Sequence, residues 1–177
     1  MKKAEKNSWF KAGAYILEID GFSKLTIDRL CSELKLTKGS FYHHFGNMDG
    51  YITALMEYWQ ECHTMEYIRK TDEIPSDSDR LEFISEMVID SSYRVEQVIR
   101  AWSFSNDIVK EYLDKVDKIR IEYIKKLNME AGMEAIHAER KAILEYAVLV
   151  GIQQLYPDAP KTEIKELYHL YKIKNTL

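Results

Sequence analysis

The sequence predicts an all-α fold of about nine helices, on the strength of three observations. The 177 residues include only 3 Pro and 7 Gly, so few residues interrupt a helix. Apolar residues recur in segment after segment at the spacing i, i+3, i+4 and i+7, which is the stripe of an amphipathic helix. No stretch of useful length alternates apolar and polar residues as a half-buried strand does.

The bulk composition excludes several classes of protein. A hydrophobic content of 46% with 31% charged residues is typical of a folded chain and not of a disordered one. No apolar run approaches the roughly 20 residues that a membrane span needs, and the N-terminus lacks the apolar centre of a secretory signal, so we expect a cytoplasmic protein. Cys31 and Cys62 lack the spacing of a zinc site and are expected to be buried thiols.

Charge is distributed unevenly along the chain. The net charge is −4, which argues against a protein that coats nucleic acid through charge alone. Residues 1–50 carry eight Lys/Arg against six Asp/Glu, whereas the remaining residues carry seventeen against twenty-three. Any contact with an anion is therefore expected in the N-terminal part.

Two short capped helices follow a first helix that is expected from about Asn7 to Asp20. Thr26 stands directly before an apolar helical stripe as an N-cap, and Thr37 repeats this arrangement eleven residues later. Only Lys35 and Leu36 separate the two helices. A connection this short makes the helices cross steeply, which predicts a helix-turn-helix.

The second capped helix divides into a buried and an outward half. Phe41 and Phe45 are four residues apart and point together, and Leu36 at the entry is expected to join them in the core. Adjacent His43 and His44 diverge by about 100°, so they do not form a metal site. The outward half offers backbone N–H groups, hydroxyls and a lysine to phosphates and base edges of DNA. Its members are Thr37, Lys38, Gly39, Ser40, Tyr42 and His43. Tyr42 and His43 taken alone would be ordinary exposed residues, and it is the combination with the caps and the turn that favours DNA.

The rest of the chain continues as helices. A fourth helix is capped by Asn47 and is expected to run to about Arg69, and residues 72–79 are rich in Pro, Ser and Asp and form a break. Further helical stripes follow, at 81–88, 95–102, 109–127, 136–155 and 162–173. The predicted organisation is a DNA-binding domain (1–47), a linking helix (48–71) and a C-terminal helical bundle (72–177).

The segment TIDRLCSELKLTKGSFYHHFGNMDGYITALMEYW resembles the DNA-binding segment of the TetR family of transcriptional regulators. The resemblance extends over residues 7 to about 65 and includes the family's Thr/Ser-x-Gly-x-Phe/Leu-Tyr-x-x-Phe core. Two positions depart from the family pattern. Lys35 stands where a turn glycine is usual, and Met48 stands where a basic residue usually contacts phosphate.

The resemblance implies roles for individual residues. It implies that Thr26, Thr37, Lys38 and Tyr42 contact phosphates. It also implies that Gly39, Ser40 and His43 lie in the major groove.

The region from Ser92 onward is more loosely similar to an effector-sensing and dimerising domain of such regulators. Apolar stripes support a four-helix dimer interface, with the predicted residues Ile136, Ile143, Ala147, Val150, Ile164, Leu167, Tyr168 and Tyr171. A small apolar or aromatic effector is expected to be lined by Trp59, Phe83, Met87, Trp102, Tyr123, His137 and Tyr146, and the alternative for each of these is plain core.

No catalytic motif, cofactor site or metal site is predicted. The pair Glu134 and His137 is more typical of a surface hydrogen bond than of catalysis. The sequence thus predicts a ligand-responsive transcriptional regulator, a repressor that binds a palindromic double-stranded DNA operator as a homodimer. The alternative is a helical ligand-sensing or protein-interaction protein that has lost specific operator binding.

Overall fold

The computed structural model describes residues 3–75 and 77–174, with the side chains of residues 6–75 and 79–171. Every regular element within these residues is a helix, which confirms the all-α prediction. The α-helices are α1 (Lys3–Asp20), α2 (Ile27–Leu34), α3 (Lys38–Phe45), α4 (Met48–Gln60), α5 (Glu66–Asp72), α6 (Asp77–Asp90), α7 (Arg94–Trp102), α8 (Asp107–Glu130), α9 (Ala135–Leu155) and α10 (Lys161–Lys174).

The linking helix is continuous from α4 through a π-helical turn, Glu61–Met65, into α5. If this segment is counted as one helix, the described part of the chain contains nine α-helices, as expected. It ends at Asp72, slightly beyond the predicted end near Arg69, and α1 begins at Lys3, before the predicted Asn7.

The π-helical turn was not predicted from the sequence, and Arg120 of α8 contacts it. The guanidinium donates from Nη2 to the His63 carbonyl (3.2 Å) and from Nε to Thr64 Oγ1 (3.1 Å). A π turn inserts one residue into the helical ladder and leaves carbonyls that need other donors. Arg120 meets this need, and it also donates from Nη1 to the Tyr146 hydroxyl (3.1 Å).

The chain divides into two compact units. The first comprises Met1–Cys62 with Arg94–Asp114, and the second comprises His63–Tyr93 with Lys115–Leu177. The predicted division at residues 47 and 71 was based on function and stays a prediction.

The first unit is built around aromatic side chains of α1, α3 and α4. Trp9, Phe41 and Tyr51 are completely buried, and the Phe41 ring centroid lies 5.6 Å from that of Trp9 and 5.5 Å from that of Tyr51. Elsewhere in this unit the Phe22 and Trp102 rings stack with a 6.0 Å separation. The short helices α2 and α3 are thus held on a core that their own few apolar residues could not form.

The second unit packs α6, α9 and α10 around a cluster of Ile89, Leu149, Ile164 and Tyr168. Asn128 and Glu145 are buried polar residues of the same unit, and the Asn128 amide donates to a Glu145 carboxylate oxygen (3.3 Å). Lys141 Nζ lies 3.9 Å from the other carboxylate oxygen of Glu145, so the buried carboxylate has both a hydrogen-bond donor and an opposite charge nearby, which lowers the cost of burying it.

Candidate nucleic-acid interface

Threonine caps begin both helices of the helix-turn-helix, as predicted. Thr26 Oγ1 accepts from the Arg29 N–H (3.1 Å), and Thr37 Oγ1 accepts from the Ser40 N–H (3.3 Å). A threonine hydroxyl has one hydrogen to donate and two lone pairs to accept with. Each cap uses a lone pair, so the hydroxyl hydrogen is still able to donate to a phosphate oxygen.

The turn between α2 and α3 forms without the glycine that is usual in the TetR family. Lys35 adopts the left-handed conformation (φ 55°), its N–H donates to the Ser32 carbonyl, and the Leu36 N–H donates to the Cys31 carbonyl. These two bonds form a Schellman motif, which ends a helix by satisfying its last carbonyls. Lysine therefore provides the geometry of the turn, at a conformational cost of about 1 kcal/mol relative to glycine.

The inner face of α3 agrees with the prediction at two of its three positions. Phe41 is fully buried, and Phe45 is half-buried with its ring centroid 5.0 Å from that of Tyr51. The prediction for Leu36 is wrong, because its side chain is 43% exposed. The aromatic rings of Trp9 and Tyr51 already enclose Phe41, so Leu36 is not needed to cover it.

The outer face of α3 is open. Gly39 and His43 are exposed, Tyr42 is half-exposed and Ser40 is partly covered. A methyl group at Gly39 would meet only the Thr37 hydroxyl oxygen, at 3.7 Å, and Gly39 does not have a positive φ. Neither packing nor backbone conformation within the chain accounts for a glycine at this position.

Ion pairs engage basic side chains of the motif. Lys38 Nζ lies 2.5 Å from Asp28 Oδ1, which raises the pKa of Lys38 through a hydrogen bond and charge attraction. Arg29 contacts Asp20 (3.2 Å) and Glu33 (2.7 Å). The partner of Lys38 could not be predicted from helical spacing, because Asp28 and Lys38 lie in different helices.

Comparison with known proteins identifies this motif. The sequence model of the family described as bacterial regulatory proteins, tetR family, matches residues 11–55, from α1 into α4. Residues 11–55 therefore match the N-terminal segment of TetR-family regulators. No curated protein matches this chain in sequence.

Solved structures, two of them described as TetR regulators, share the fold over nearly the whole chain. NemR from Escherichia coli in its reduced form has a TM-score of 0.79 at 15% identity, over 94% of this chain and 95% of NemR. A TetR transcriptional regulator from Legionella pneumophila has a TM-score of 0.77 at 11% identity, over 98% and 97% of the two chains. One from Haloarcula marismortui has a TM-score of 0.72 at 14% identity, over 96% and 95%. The chain therefore has the fold of these proteins.

The predicted effector residues do not gather in one unit. Trp59 and Trp102 are buried in the first unit, whereas the other five belong to the second. Of these five, Tyr123 and Tyr146 use their hydroxyls within the chain, donating to Asp72 (2.9 Å) and Asp117 (2.6 Å) respectively.

His137 does not face a core. It is exposed on α9, with Nε2 lying 3.7 Å from Glu134, as expected of a surface pair. The remaining two, Phe83 and Met87, are half-buried on α6. A groove of about 690 Å³ lies between α6 and α10, and its lining includes none of the seven predicted residues.

The predicted dimer residues divide between exposed and buried positions. Ile136, Ile143 and Ala147 are exposed on one face of α9, whereas Ile164 and Tyr168 pack into the core of their own chain. The other three, Val150, Leu167 and Tyr171, are half-buried. An interface role for all eight stays a prediction, and the exposed face of α9 is the part that is open to a partner.

Among the residues that the structure describes, no helix is long and apolar enough to cross a membrane. The same residues contain no group of His, Cys, Asp and Glu arranged to hold a metal ion.

Proposed function

We propose that this protein is a DNA-binding repressor that binds a two-fold symmetric operator as a homodimer and is released by a small effector. The proposal assigns DNA contact to residues 1–47 and dimerisation to the exposed face of α9. One recognition helix reads only a few base pairs, so a symmetric dimer is needed to read two half-sites. Blocking of a promoter by the bound dimer is the proposed mode of regulation.

One observation carries the proposal most directly, namely the unexplained glycine on the outer face of α3. Glycine in a helix costs roughly 0.5–1 kcal/mol relative to alanine, and the space around Gly39 would accept a methyl group. A glycine that the fold does not require is accounted for if another molecule approaches the helix backbone closely. In this proposal that molecule is the DNA major groove, with Ser40 and His43 beside it and Thr37, Lys38 and Tyr42 at phosphates.

A substitution at Gly39 separates stability from DNA binding. We expect Gly39→Ala to raise the free energy of unfolding by about 0.5–1 kcal/mol. Affinity for a duplex from upstream of its own gene should fall on the order of tenfold or more, because the added methyl group displaces base-edge contacts. Urea unfolding and fluorescence anisotropy measure the two effects on the same samples.

A pair of tyrosines supplies the matched control. Tyr42 on α3 is 50% exposed and Tyr15 on α1 is 46% exposed. Tyr42→Ala should weaken DNA binding and Tyr15→Ala should not. Wild-type protein that shows no site-specific binding at about 50 mM salt contradicts the proposal and favours a ligand-sensing protein without an operator. A Gly39→Ala variant that binds as well as wild type contradicts the placement of Gly39 against the major groove.

A further inference from the structure

Two basic side chains of the helix-turn-helix form ion pairs with carboxylates of the same unit. Lys38 is the first residue of α3, and Asp28 lies in the first turn of α2, so their ion pair joins the two helices. Both side chains are more than half exposed, which places the pair on the surface and not in the core. Arg29 is engaged in the same way by Asp20 and Glu33.

This pair lies where the proposed function expects a phosphate. The N-terminus of α3 presents unpaired backbone N–H groups and the positive end of the helix dipole, both of which favour an anion. Asp28 adds a negative charge beside that position. A phosphate that approaches Lys38 therefore has to displace the Asp28 carboxylate from the lysine, and it then remains close to that carboxylate.

We infer that Asp28 is an electrostatic brake on DNA binding, since it holds Lys38 in the free protein and competes with phosphate for it. The inference rests on the proposed function and adds to it a residue that weakens binding. Lys38 contacts backbone and not bases in this account, so the brake lowers affinity for every duplex by the same factor.

The brake also predicts how binding depends on salt. A lysine that neutralises a phosphate releases about one condensed counterion, which steepens the dependence of affinity on salt concentration. When Lys38 leaves Asp28, however, the freed carboxylate attracts a cation from solution. The wild-type protein thus gains less from counterion release than it would without Asp28.

The test measures binding to a labelled random-sequence duplex by anisotropy at several KCl concentrations. Asp28→Asn, which keeps the shape and removes the charge, should bind about three- to tenfold tighter at low salt, with a log–log salt slope steeper by about 1. Asp28→Ser, which suits a helix start, repeats the measurement if the asparagine variant melts early. Asp114→Asn is the matched control. It removes a carboxylate that is also 2.5 Å from a lysine, Lys110, and also more than half exposed, but lies outside the motif. It should bind as wild type.

A second substitution tests whether the brake acts through Lys38. In a Lys38→Gln background, Asp28→Asn should give a much smaller gain, because only the direct repulsion between the carboxylate and the phosphate is then removed. Equal gains with and without Lys38, or no gain from either Asp28 variant, overturn the brake. In either case, DNA binding by the wild-type protein leaves the proposed function intact. Failure of the wild-type protein to bind the duplex at low salt overturns both.

Discussion

At the scale of single residues, Gly13 of α1 packs tightly against Tyr51 of α4. A methyl group built at Gly13 would lie 2.0 Å from the Tyr51 hydroxyl oxygen and 3.3 Å from a Leu55 methyl carbon. That hydroxyl is buried and donates to the Trp9 carbonyl (2.9 Å), and burial raises the pKa of Tyr51 well above its ordinary value. The phenol is therefore fixed in position and cannot yield to a larger neighbour.

This contact predicts a non-additive pair of substitutions. Gly13→Ala should lower the free energy of unfolding by about 1–3 kcal/mol because of overpacking, despite the better helix propensity of alanine. Tyr51→Phe alone should cost about 1 kcal/mol through its lost hydrogen bond. The double variant should be less destabilised than the sum, since phenylalanine lacks the oxygen that the new methyl group would strike. Urea unfolding measures all three variants, and simple additivity would show that the two side chains do not collide.

At the scale of elements, the turn between α2 and α3 shows how one residue type can replace another at a stability cost. Lys35 holds a left-handed backbone conformation that glycine adopts without strain. The bonds that end α2 there are made by backbone atoms, so they do not depend on the side chain at Lys35.

We expect Lys35→Gly to stabilise the protein by up to about 1 kcal/mol and Lys35→Val to destabilise it, because a β-branched side chain tolerates the left-handed region poorly. Thermal unfolding of the two variants and of wild type gives the ranking. If the Lys35→Val variant proved as stable as the Lys35→Gly variant, the turn in solution would differ from the Schellman motif described above.

The caps and the π-helical turn show what sequence reasoning reaches at this scale. Thr26, Thr37 and Asn47 were predicted as N-caps because a cap and the helix it begins are adjacent in sequence, and each caps its helix. The π-helical turn is contacted by Arg120, which lies 57 residues from His63. No pattern among neighbouring residues predicts a contact between residues so far apart in sequence.

The exposed position of Leu36 has a similar origin. Its spacing from Phe41 fits a hydrophobic staple, and spacing alone predicted its burial. Trp9 and Tyr51 contact Phe41 instead, and they approach from helices whose positions the local sequence does not specify. The pairing of Lys38 with Asp28 escaped prediction for the same reason.

At the scale of the whole molecule, the proposed dimer depends on an apolar surface of α9. Ile136, Ile143 and Ala147 lie on the side of α9 opposite its buried residues, which include Ala142 and Leu149. Isoleucines that remain exposed on one helix face form a surface suited to a second copy.

A charge placed on this face should separate the proposed dimer. Ile143→Glu should give monomers in light scattering and weaken operator binding, because one subunit reads only one half-site. Met129→Glu on α8 is the matched control, since the two side chains are exposed to 45% and 46%. An Ile143→Glu protein that remains dimeric would move the interface elsewhere.

The central claim is that α3 reads DNA. Selection of bound fragments from a sheared genomic pool, followed by sequencing, tests it without prior choice of an operator. The account predicts an enriched motif with two-fold symmetry and half-sites about one helical turn apart, lost when Gly39→Ala replaces wild type. A pool that shows no enriched motif at low salt, with a folded protein, would contradict it.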